Sequence, residues 1–141
     1  MSSRIAEARL RGAAAICALL SAVVHLLLVP EHLQEVPYIG ILFLVGSVAL
    51  LVVAAGLARR DPVPAWLLGV VVNGGMILGF ALSRTVGLPD YREQGWDPPY
   101  GTLSIISEAV FLVAFVAWCG ARRTLAPSRT VTRSATSVHV R

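Results

Sequence analysis

Tyr38–Ala58 reads YIGILFLVGSVALLVVAAGLA, an unbroken run of apolar and small residues without a single charge. An α-helix rises ~1.5 Å per residue, so about 20 such residues cross the hydrocarbon core of a bilayer. Three more runs share this character: Leu10–Val29, Pro64–Ser83 and Leu103–Gly120. The sequence therefore predicts an all-α integral membrane protein, a four-helix bundle with spans at about residues 10–29, 38–58, 64–83 and 103–120. A short cytoplasmic lead over residues 1–9 precedes them.

Composition agrees. The chain is 56% hydrophobic and 14% charged, where a soluble domain carries about a quarter charged residues. With four spans assigned in 141 residues, no separate soluble domain fits. The first apolar run is longer than a signal-peptide core, and it is read as a true span.

The charges are sorted by side. All twelve basic residues are arginine, and ten of them fall together: Arg4, Arg9 and Arg11 before span one, Arg59 and Arg60 between spans two and three, and Arg122, Arg123, Arg129, Arg133 and Arg141 after span four. Only Arg84 and Arg92 lie on the other side. By the positive-inside rule both termini are expected in the cytoplasm, as a multi-pass protein of a bacterial inner membrane. Of the acidic residues, Glu31, Glu35, Asp90, Glu93 and Asp97 are in the outer loops, Glu7 and Asp61 inside, and Glu108 within a span. The net charge of +4 is thus a matter of topology. No basic face is interleaved with aromatics, so the expected partner is the lipid bilayer and not nucleic acid. Cys17 and Cys119 both fall on the inner side, where a disulfide is not expected.

Between spans, the residue before a proline is disfavoured in helical geometry. Span one is accordingly expected to end before Pro30, leaving Pro30–Pro37 as a compact outer connector. The short inner connector Arg59–Pro64 makes spans two and three antiparallel neighbours. The longest connection, residues 84–101, holds Tyr91, Trp96 and Tyr100 among prolines and glycines, and is expected to form an ordered cap over the bundle. The tail, 121–141, is rich in arginine, serine and threonine and reads as disordered and drawn to anionic headgroups, with no specific role for His139. Gly75 and Gly79 form a small-xxx-small pair suited to close helix packing. Ser47 and Asn73 are uncharged polar groups deeper in the spans, counted with that packing.

Ionisable residues inside a span cost roughly 2.5–3.5 kcal/mol at the helix centre. The sequence has two, His25 and Glu108. His25 lies five residues before Pro30 and Glu108 six after Thr102, so both sit roughly 8 Å below the outer boundary and can meet. The outer third collects these two with Glu31, His32, Glu35, Arg84, Asp90, Glu93 and Asp97, and His25, Glu31, His32, Glu35, Arg84 and Glu108 are taken as its polar cluster. Three readings stay open. Glu108 can pair with Arg84 or His25 purely structurally. His25, His32 and Glu108 can supply three ligands to a transition metal. Or the cluster can be the polar end of a small-molecule or quinone-type pocket, or a proton-handling pair. No P-loop, zinc-protease helix or nucleophile elbow is present, and the reading leans away from an enzyme.

Two segments together carry a resemblance: HLLLVPEHLQE (His25–Glu35) leading into YIGILF (Tyr38–Phe43), and SRTVGLP (Ser83–Pro89) after Asn73 and before Gly101 and Glu108. They are similar to a group of small four-span membrane proteins of high-GC actinobacteria, over roughly residues 20–110. Those proteins often continue with a Gly-Pro-rich segment where Asp90-Tyr91-Arg92-Glu93 stands here. The resemblance implies topology and source and no activity. In size and helix count alone the chain is also similar to the DoxX-like class. The leading expectation is a non-enzymatic accessory or binding protein using the outer cluster. The alternatives are a metal- or quinone-dependent redox protein using the same residues, and a subunit of a larger membrane complex or homo-oligomer packing through Gly75 and Gly79.

Overall fold

The structure, a computed structural model, describes residues 2–59, 61–96 and 98–125. Its regular elements are four α-helices: α1 (Ser2–Glu35), α2 (Pro37–Leu57), α3 (Val63–Arg84) and α4 (Tyr100–Leu125). All four are long and apolar enough to cross a membrane. They run alternately up and down, with α1 against α2 and α4, and α3 closing the ring between α2 and α4.

The first helix is patterned opposite to one in a soluble bundle. On α1 the buried face is mostly small or polar: Ala14, Ala18, Ser21, Ala22, His25 and His32 recur at helical spacing, with Val24 and Val29 beside them. The large aliphatics Ile16, Leu19, Val23 and Leu27 point outward. Small residues at helix contacts and large ones outside are what packing in a lipid environment favours, since burying a leucine there brings no hydrophobic gain. The end of the bundle holding the start of α1 and the end of α4 is closed by aromatics. Trp66 is fully buried with Phe111, Phe115 and Trp118 at ring distances of 5.4, 5.7 and 5.2 Å. A Cβ on Gly69 would come within 2.2 Å of Phe111 Cζ, so only glycine lets α3 and α4 approach there. At this end Arg11 donates from Nε to the Leu57 carbonyl (2.7 Å) and from Nη2 to that of Arg59 (2.5 Å), capping the C-terminus of α2 with a cation. Asp61 accepts the Val63 N–H (3.2 Å), opening α3.

Three sequence expectations change. Span one does not stop at Pro30; α1 runs through it to Glu35, and Pro30–Pro37 is no connector. The ring removes one backbone hydrogen bond, which a packed apolar helix tolerates. The break falls instead at Val36, alone between α1 and α2, with φ −141° and ψ 88° imposed ahead of Pro37. The corner is tight: a Cβ on Gly40 would stand 2.7 Å from the Leu33 backbone nitrogen. Second, α4 is longer than residues 103–120, beginning at Tyr100 and taking in 121–125 of the expected tail. The rest of that tail, with His139, lies outside the described residues, as do Arg60 and Asp97. Third, a Cβ on Gly75 or Gly79 would meet nothing within 4 Å, so among the described residues no other helix packs closely on the pair.

The segment between α3 and α4 is tied down. Leu88 and Tyr91 exchange backbone hydrogen bonds (2.8 and 3.0 Å) around a turn with Pro89 first and Asp90 second. Asp90 takes φ +54°, the left-handed value that the third residue of such a turn needs. Tyr38 donates to the Pro89 carbonyl at 2.6 Å, and the Glu93 N–H to that of Ser83 at 3.1 Å.

Candidate functional site

A cavity of about 300 Å³ occupies the half of the bundle opposite the aromatic cluster. One wall is polar, made of His25, His32, Arg84, Tyr91, Glu93 and Glu108. The other is apolar, with Leu42, Phe43, Val45, Val72 and Met76 beside Gly46, Gly75 and Gly79. Leu42 and Val45 line it while being 58% and 61% exposed. The cavity therefore opens sideways between α2 and α3, on the bundle's apolar flank. Gly75 and Gly79, which pack against nothing, are where α3 leaves this room.

Because α1 is unbroken, His25 and His32 stand two turns apart on one face, and both are buried. Each fixes its ring in the same way. The Nδ1–H of His25 donates to the Ser21 carbonyl and that of His32 to the Leu28 carbonyl, both at 2.9 Å. A carbonyl can only accept, so both rings present Nε2 away from the helix. Phe43 of α2 lies between them, with ring centroids 4.8 Å from His25 and 4.7 Å from His32.

The two Nε2 atoms meet different partners. His25 Nε2 stands 3.8 Å from Glu108 Oε1. Glu108 is 1% exposed and accepts from Ser21 Oγ at 3.1 Å. His32 Nε2 is 2.9 Å from the Tyr91 hydroxyl and 3.5 Å from Glu93 Oε1. Tyr91 also hydrogen-bonds Glu93, which forms an ion pair with Arg84. Burial, then the hydrogen bond to Glu93 and its charge, push the Tyr91 hydroxyl well above its ordinary range, so it remains a proton donor. Arg84 further donates to the Gly95 carbonyl (2.6 Å) and to Ser83 Oγ (3.0 Å), and lies 3.5 Å over the Phe80 ring.

Of the six residues in the expected cluster, His25, His32, Arg84 and Glu108 line the cavity, whereas Glu31 and Glu35 are exposed and stand outside it. Arg84 pairs with Glu93 and not with Glu108 or His25. Among the described residues no three His, Cys, Asp or Glu side chains are grouped to hold a metal, so His25, His32 and Glu108 do not form a ligand set. Ser47 and Asn73 are fully buried. Their side chains bond within their own helices, to the Phe43 and Gly69 carbonyls at 2.7 Å each. The sequence places Tyr91 among the aromatics of the cap and Glu93 among the outer carboxylates, and gives neither a partner; the structure brings both to His32 and pairs Glu93 with Arg84. What sequence reasoning missed is these partners, for which an irregular segment offers no periodic signal. No family model, curated protein or solved structure matches the chain. Function rests on the chemistry of this cavity.

Proposed function

We propose that this chain is a multi-pass membrane protein with both termini in the cytoplasm, and that it binds a small lipophilic molecule in the extracytoplasmic half of its bundle. The orientation is supported by the sorting of the arginines along the sequence, ten of the twelve falling before the first span, between the second and third, or after the fourth. A fluorescent protein fused after Arg141 should fold and fluoresce in the cytoplasm; a fusion active only outside would reverse the assignment.

The observation that carries the binding reading is the cavity, with one apolar wall, one hydrogen-bonding wall and a sideways mouth. Small-molecule sites are concave, mostly apolar and oriented by a few convergent polar groups, with volumes from ~300 Å³ upward. A mouth on the apolar flank admits a ligand from the hydrocarbon and not from water. The open face at Gly75 and Gly79 also motivates the larger-complex reading. Lining a cavity accounts for it within one chain, which favours a ligand over a partner helix. The redox reading uses the same pocket but loses its metal ligand set.

Gly79→Leu tests binding. A Cβ there would meet nothing within 4 Å and Gly79 lines the cavity, so the added side chain is expected to extend into it, and leaving glycine favours the helix by up to ~1 kcal/mol. The variant should fold as well as wild type. Mass spectrometry of organic extracts should find a lipophilic species near 1:1 with wild-type protein and at least tenfold less with the variant. Equal recovery from both would sink the reading.

A further inference from the structure

The deep end of the cavity is unlike the rest of its polar wall. Arg84, Glu93, Tyr91 and His32 are linked to one another under the cap. His25 and Glu108 do not. Their closest approach, 3.8 Å, is too long for a hydrogen bond. His25 has spent Nδ1 on the Ser21 carbonyl, and Nε2 forms no hydrogen bond among the described residues. Glu108 has spent only Oε1, on Ser21, and Oε2 is equally without a hydrogen bond among them. Both side chains are more than nine-tenths buried, and both line the cavity. Two polar groups across more than 3.5 Å are commonly bridged by one small group between them. An oxygen ~2.8–3.0 Å from each spans this gap without moving either side chain.

The chemistry of the bridging group follows. A bare carboxylate beside a neutral imidazole would leave an uncompensated charge at a site 1% exposed, which is costly in an apolar surround. The pair therefore holds a proton, on one partner or the other, and offers a ligand one donor and one acceptor. A hydroxyl satisfies both, since it donates one hydrogen bond and accepts another. An ether or ester oxygen only accepts, and leaves one partner orphaned. An anion brings an uncompensated charge to a pair that is already neutral overall, which is costly in this buried surround.

Resting on the cavity-binding reading above, we infer that His25 and Glu108 form a hydroxyl-recognition site, and that the ligand is an uncharged lipophilic alcohol or phenol, a quinol-type head included. Its hydroxyl bridges His25 Nε2 and the Glu108 carboxyl group, while its apolar body lies against Phe43 and Met76 and leaves between α2 and α3.

Three probes with one tail separate the possibilities: 4-octylphenol, 4-octylanisole and 4-octylbenzoate. Each is titrated by equilibrium dialysis into the full chain in lipid nanodiscs, with partitioning into empty nanodiscs subtracted. The phenol should bind saturably at 1:1, at least tenfold more tightly than the anisole and the benzoate. Glu108→Leu should bring the phenol down to the anisole; the wild-type comparison is independent of whether that variant folds. Equal binding of phenol and anisole would leave the cavity in place and overturn hydroxyl recognition, with water alone filling the gap. Tightest binding of the benzoate would overturn it in favour of an anion. No saturable binding by any probe, combined with wild-type extracts that hold no stoichiometric species, would remove the cavity reading and this inference together.

Discussion

Replacing Arg84 with alanine is expected to release the cap while leaving the four helices folded. Arg84 is mostly buried and touches four partners at once: the Glu93 carboxylate, the Gly95 carbonyl, Ser83 Oγ and the Phe80 ring. Two of these, Glu93 and Gly95, belong to the cap, and two to α3. Removing one partner of a buried ion pair costs ~3–5 kcal/mol, mostly by orphaning the other charge. The Glu93 side chain is a quarter exposed, so water recovers part of this, and about 2–3 kcal/mol is expected. Hydrogen exchange reads the result directly. Amides of residues 85–96 should exchange at least tenfold faster, those of Leu88 and Tyr91 among them, while the middle of each helix keeps its protection. Arg84→Lys should fall between, because an ammonium keeps the charge but cannot serve Glu93 and Gly95 with a planar fork. The double variant Arg84→Ala, Glu93→Ala should cost less than the two single losses added, since no orphaned carboxylate remains. Unchanged exchange across 85–96 in Arg84→Ala would mean that Tyr38 and the Leu88–Tyr91 turn alone hold the cap.

How far the sequence discloses this architecture depends on which physical signal each part obeys. The helices are legible because a run such as Tyr38–Ala58 can satisfy its backbone in an apolar surround only as a helix. Helix ends are less so. The same pre-proline rule applies at Val29 and at Val36, and local sterics do not say which one the chain obeys. Val36 is the break because Pro37 opens α2 there, whereas Pro30 sits inside a helix whose neighbours hold it straight through. The consequence reaches the site, since an unbroken α1 puts His32 in phase with His25. The approach of His25 to Glu108 can be estimated by counting residues from the loops, because rise per residue is constant within a helix. No such ruler exists in residues 85–99. There the partners of Arg84 and His32 are set by the turn at Asp90 and by the hydrogen bonds of Glu93, and periodicity says nothing about them. Gly75 and Gly79 teach a further point. A small-xxx-small pair permits close approach but does not require it, and here the same small residues keep a space open.

Trp66→Ala is expected to be the most damaging single change in the chain. Trp66 is fully buried, stacked on Trp118 and in contact distance of Phe111 and Phe115, so it joins α3 to α4 at the closed end of the bundle. Truncating a buried tryptophan removes its packing and leaves a void that neighbours fill only partly, at ~3–5 kcal/mol. Gly69, one turn along α3, makes relaxation harder, because the backbone already lies against Phe111 and cannot move closer. Thermal unfolding in detergent should show the loss. Trp66→Phe should cost much less, for Trp66 Nε1 is buried with no partner among the described residues, and removing that N–H offsets part of the lost area. A loss below about 1 kcal/mol for Trp66→Ala would show that the aromatic cluster is not what closes the bundle. The reason to expect otherwise lies in how the two ends differ. The half under the cap gives up contact between α2 and α3 to keep a cavity, and holds buried polar groups that packing alone would not select. A protein that opens one half of a four-helix bundle must hold the helices together in the other, and Trp66 stands where that closure is made.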